Sequence, residues 1–151
     1  MTHSGLRTAQ LCLERAVAMR ESAERIEGHD DELAAVAYFY SAYHMVKAAF
    51  IEDPIFDELS RLQGLNPHLI PDDRFVTHHR GRLGGNGPRK LGVNDIVQIL
   101  YPAVAPRYIR LHMASIAVRY ESGLTAYSFV DVKSDYAEMS RAYVSGELKA
   151  H

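Results

Sequence analysis

A chain of 151 residues, 47% hydrophobic and 24% charged, has the size and texture of one globular domain. Its single cysteine, Cys12, excludes an intrachain disulfide and fits a reducing cytoplasm. The formal net charge of −2 hides an asymmetry: residues 1–60 carry eleven acids and five bases, residues 61–151 eight acids and twelve bases. Such a split predicts one positive side, suited to an anionic ligand.

Residues 4–27 read as a first helix, because Leu6, Ala9, Leu13, Ala16, Val17, Ala23 and Ile26 recur at three- and four-residue spacing. Charge interrupts it at "LERAVAMRESAERIE", so no signal peptide is expected. Cys12 lies among its apolar residues and reads as a small buried hydrophobe. Gly28 stops this helix, and "HDDE" opens the next with acids that favour its dipole.

The second helix runs to about Glu52, where Pro54 ends it. Leu33 to Ile51 approaches bilayer length, but Ser41, His44, Lys47 and three tyrosines make it a core helix rather than a membrane span. It is apolar nearly all round, which predicts neighbours on several sides. It also predicts a homodimer, since four helices do not readily cover so many apolar faces. His44 sits on a ridge of small residues and reads as a satisfied core or interface histidine.

"IFDELSRLQGL" forms a short helix closed by Gly64. From Asn66 to Gly92 the texture changes to three prolines and five glycines, a length of loop that is usually functional or disordered. Asn94 then caps a helix through "DIVQILYPAV", and Pro106 opens another from Arg107 to about Glu121. "SGLTAYSFVDVK" reads as a linker, and Ser134 as the cap of a last helix with Tyr136, Met139, Ala142 and Leu148 on its apolar stripe. The fold class is therefore all-α, with four main helices in an up-down bundle, one or two short helices and a long basic Gly-rich loop.

The order of parts is specific: "AAVAYFYSAYHMVKAAF", a mid-chain "THHRG", a helix ending "AVRYESG", and a closing "SDYAEMSRAYVSGEL". Together these resemble a HEPN domain, the small helical bundle of higher eukaryotes and prokaryotes nucleotide-binding proteins, over roughly residues 30–150. The resemblance implies a single helical domain over 1–151, frequent homodimerisation, and RNA or nucleotide association. The nuclease branch of that family carries an Arg, four to six residues, then a His. Arg61 to His68, Arg74 to His79 and Arg107 to His112 match the spacing, though none has the polar residue that usually follows the Arg.

Placement favours Arg107 and His112 as the catalytic pair. Tyr108, His112, Ser115 and Arg119 share one helix face, a polar stripe that reads either as cleft lining or as a solvated face. His as base and Arg as phosphorane partner suffice for RNA cleavage without metal. From Arg74 to Lys90 the chain holds five cations and no acid, with His78, His79 and four glycines between them. Arg74, His78, His79, Arg80, Arg82, Arg89 and Lys90, joined by Arg119, are thus candidates for nucleic-acid or phosphate binding, against a mobile solvated loop as the alternative.

Neither a Walker A nor a dinucleotide glycine pattern is present, so no cofactor is expected. No metal is expected either, because adjacent His78 and His79 seldom point at one ion. Two functions remain open: an RNA- or nucleotide-binding protein, as a metal-independent ribonuclease of a defence or toxin–antitoxin system, or a non-catalytic dimeric module partnering another protein such as a nucleotidyltransferase. A helical regulator holding a small ligand at the loop is a third, weaker reading.

Overall fold

The computed structural model describes residues 8–81 and 90–150. Among them are six helices and no strand: α1 (Ala9–Ile26), α2 (Asp31–Glu52), α3 (Leu59–Leu65), α4 (Val93–Leu100), α5 (Ala105–Tyr120) and α6 (Phe129–Val144). The fold is all-α. No helix among the described residues is long and apolar enough to cross a membrane.

Local chemistry sets the first boundary. Thr8 caps α1 by accepting the Leu11 N–H at 3.1 Å. Gly28 leaves the helix at φ 88°, a left-handed conformation that glycine adopts without strain. Asp30 then caps α2 through the Leu33 N–H at 3.0 Å, while the Asp31 carboxylate reaches back to the Gly28 N–H at 2.7 Å.

The all-round apolarity of α2 has a direct cause: it packs against α1, α5 and α6. Phe39, Ala42, Val46, Ala48 and Phe50 are completely buried on it. Its polar residues are used as ties. The Ser41 hydroxyl donates to the Ala16 carbonyl at 2.7 Å and meets the Tyr136 hydroxyl at 2.8 Å, linking α1, α2 and α6. Buried Lys47 donates to the carbonyl of Val76, and burial lowers its pKa to about 8. His44 is half-buried with Tyr43 edge-on at 5.2 Å, as a structural imidazole would be.

Two sequence boundaries shift. α4 starts at Val93 rather than after Asn94: the Asp95 carboxylate accepts the Gly92 N–H at 2.9 Å, and the Asn94 side chain serves elsewhere. α6 starts at Phe129, capped by Ser128 rather than Ser134, since the Ser128 hydroxyl accepts the Asp131 N–H at 3.0 Å. "FVDVK" looks extended by composition, but burial of Val132 against the core makes it helical. Much of the Gly-rich stretch, with Arg82, Gly84, Gly85, Gly87 and Arg89, lies outside the described residues. What precedes it is fixed: the His78 and His79 carbonyls accept the N–H groups of Val93 (2.7 Å) and Asn94 (2.9 Å), seating residues 78–79 on the start of α4. A Cβ at Gly92 would run into the Arg80 backbone, so this close approach requires glycine.

The far end of the molecule hangs on Asp53, which is 3% exposed. Its carboxylate accepts from the Ile55 N–H (3.1 Å), the Tyr101 hydroxyl (2.9 Å) and the Ala150 N–H (2.8 Å). Asp53→Ala would leave all three of those buried donors without their carboxylate partner. We expect a loss of about 2–4 kcal/mol in denaturant unfolding; a loss below about 0.5 kcal/mol would show that the carboxylate does not hold the C-terminal segment.

Candidate functional site

The polar face of α5 does not look into open solvent. Tyr108 and Ser115 are fully buried, His112 is 3% exposed, and Arg119 alone of the four reaches water. The face turns toward the aromatic ridge of α2 and the segment Thr77–Gly81. Between that segment and α5 opens a cleft of about 590 Å³, lined by Thr77, His78, His79, Arg80, Gly81, His112, Ile116, Arg119, Tyr120 and Glu121.

Its floor is Phe39. The His112 ring stacks on Phe39 with centroids 4.9 Å apart and planes 23° from parallel, and the His79 ring lies 4.7 Å from His112. His79 is further enclosed by Phe39 (5.5 Å), Tyr43 (5.0 Å) and Tyr40 (6.1 Å). The Asn94 amide nitrogen lies 2.8 Å from His112 Nδ1, and donation there leaves the neutral ring's proton on Nε2. Arg119 closes the rim: its guanidinium donates to the Tyr40 hydroxyl (3.0 Å) and to the Ser115 carbonyl (3.3 Å). Its carbon lies 5.5 Å from the Tyr40 ring and 5.1 Å from the Tyr120 ring.

This setting disfavours imidazolium. Burial first, then the charges of His79, Arg80 and Arg119, lowers the pKa of His112 to about 4. Burial, Arg119 and His78 lower that of His79 as well. The site is therefore two neighbouring neutral imidazoles beside two arginines. Buried polar atoms without a hydrogen-bond partner gather close by, among them His79 Nδ1, Asn94 Oδ1, Tyr108 Oη and Ser115 Oγ. Neutral imidazoles with flanking guanidinium groups can accept a proton and meet an anion.

The sequence candidates divide. His78, His79, Arg80, Arg119 and His112 converge on the cleft. Arg107 does not join His112: five residues apart on a helix, they differ by roughly 140° around its axis. Arg107 instead meets buried Asp135 at 3.3 Å, alongside Arg110 at 2.5 Å. Arg74 is occupied in packing, bonded to the Asp57 carboxylate (2.8 Å) and the Asp53 carbonyl (2.9 Å) and lying 5.4 Å over Phe56. Lys90 is exposed and outside the cleft lining; Arg82 and Arg89 lie outside the described residues. His112, on a stripe that reads from sequence as cleft lining or as a solvated face, is buried and packed on Phe39. Sequence reasoning did not single out Phe39, Tyr40, Tyr43 and Tyr120 as site residues, nor the use of Asn94 as a side-chain partner. The signal for the first three was the run "YFYSAYH", read as core alone.

No three of His, Cys, Asp and Glu gather as a metal ligand set among the described residues. Compared with known proteins, the chain matches no family model, no curated protein and no solved structure.

The lowered imidazole pKa values carry a stability consequence. His112 and His44 both fall to about 4, His44 through burial and then Arg15 and Lys47. Between about pH 4 and the ordinary histidine value near 6.5, the unfolded chain binds more protons than the folded one. Stability is thus complete above about pH 6.5 and falls as pH drops toward 4, by on the order of 3 kcal/mol for His112. His112→Phe keeps a ring on Phe39 and should flatten that slope in denaturant melts between about pH 6.5 and 4.5. Parallel slopes in the two proteins would contradict the burial argument.

Proposed function

We propose that this chain is a HEPN-like helical protein that holds a phosphate of RNA or a nucleotide in the cleft between Thr77–Gly81 and α5, and that His79 and His112 cleave RNA there without a metal ion. The supporting observation is the pair of imidazoles at 4.7 Å, both biased to neutrality, with Arg80 and Arg119 on the same lining. The reading extends to an up-down bundle of four main helices, a homodimer, and a place in a cytoplasmic defence or toxin–antitoxin type system.

The chemistry is balanced by one shuttling proton. His79, less buried than His112, accepts the 2′-hydroxyl proton as O2′ bonds to phosphorus. Arg80 and Arg119 meet the charge that develops on the phosphorane oxygens. The P–O5′ bond breaks, and the imidazolium returns its proton to O5′, leaving a 2′,3′-cyclic phosphate and a 5′-hydroxyl. His112, fixed by Phe39 and Asn94, orients the His79 ring and presents its Nε2–H. Arg107 has no part in this scheme, because Asp135 holds it.

One observation favours a second reading. With His112 at about 4, that ring is not protonated near neutral pH, so the cleft can hold a phosphate without cutting. The chain would then be a non-catalytic dimeric module that partners another protein such as a nucleotidyltransferase.

His79→Gln separates the two. If the protein cleaves, cleavage should fall by about 10²–10⁴-fold while the helical circular-dichroism signal is retained, EDTA should have no effect, and RNA should still bind. Arg80→Ala and Arg119→Ala should each lower the salt slope of single-strand binding by roughly 0.7. RNA bound but never cut by the wild type supports the second reading; cleavage that survives His79→Gln excludes the mechanism; no RNA binding even at low salt overturns both.

A further inference from the structure

At the C-terminal end of the cleft the lining changes character. Arg80 lines it with His78, His79 and His112; Tyr120 and Glu121 line it at the C-terminal end of α5. His112 and Tyr120 are eight residues apart on α5, or about 12 Å along the helix, more than one phosphate occupies. Tyr120 is 74% exposed, whereas His112, earlier on the same helix, is 3% exposed. Its ring is nevertheless placed: Arg119 lies 5.1 Å from its centroid, and Arg119 is itself pinned by the Tyr40 hydroxyl and the Ser115 carbonyl. The order Tyr40, Arg119, Tyr120 is a short ladder of ring, guanidinium and ring.

An exposed aromatic ring, backed by a cation and set at the end of a basic cleft, has the attributes of a stacking platform for a nucleobase. The adjacent Glu121 carboxylate disfavours a second phosphate at that end and can accept from base N–H groups. We infer that Tyr120 stacks an unpaired base, so that the ligand of the cleft is a single-stranded nucleic acid with its phosphate toward Arg80 and its base on Tyr120. This rests on the phosphate-binding reading above and names the ligand class for the same site.

The chain has no tryptophan, so Tyr120→Trp gives a single, selectively excitable tryptophan at the platform. It should be titrated with a single-stranded RNA oligomer, an abasic oligomer of the same length and the corresponding duplex. The expected result is quenching of the Trp emission by single-stranded RNA and none by the abasic oligomer. In the otherwise unaltered protein, Tyr120→Ala should weaken single-strand binding about five- to a hundredfold, leave abasic binding unchanged, and be rescued by Tyr120→Phe. Equal affinity for RNA and abasic oligomer, with no quenching, overturns the platform while leaving phosphate binding intact. Duplex bound as tightly as single strand overturns it as well, since a paired base cannot reach the ring. Binding of none of the three overturns the platform together with the reading beneath it.

Discussion

The stack of His112 on Phe39 joins α2 to α5. Phe39 belongs to α2, the helix around which α1, α5 and α6 are arranged; His112 belongs to α5, whose polar face would otherwise have no reason to turn inward. Once that face is inward, Asn94 can meet His112 and the start of α4 is drawn against it. The carbonyls of His78 and His79 then find the N–H groups of α4, and His79 is set beside His112. Each step satisfies a backbone or ring group that burial would otherwise leave costly.

Burial and charge act on this pair in the same direction. An aromatic floor removes water from the imidazoles, and the guanidinium groups at the rim repel a further positive charge. Both rings are therefore biased to the neutral form. Tyrosine edges enclose His79. Two buried acids are used away from it: Asp53 at the C-terminal end of α2, and Asp135 on α6, which pairs with Arg107 and Arg110.

Much of the frame was legible in the residues. Three- and four-residue periodicity, Gly28, the acids at Asp30 and Asp31, and Pro54 place α1 and α2 closely, because those signals are local. "FVDVK" misled because β-branched residues score as extended until a partner surface is supplied. The site was half legible: "THHRG" and Arg119 pointed to anion chemistry, but the direction of the α5 stripe was not readable. A run of Tyr, His, Ser and Arg at helical spacing looks the same whether water or Phe39 faces it. Likewise, a spacing match along one helix could not show that Arg107 and His112 diverge around its axis, or that Asp135 takes the arginine.

The account stands on two imidazoles held neutral side by side over Phe39, and NMR titration of the histidine side chains tests that directly. With ¹⁵N-labelled protein, His112 should titrate near 4 and His79 below the ordinary value, with His112 in its Nε2–H form at neutral pH. Replacing Phe39 by Leu should move both upward together. Ordinary titration of both rings near 6.5, independent of Phe39, would contradict the account.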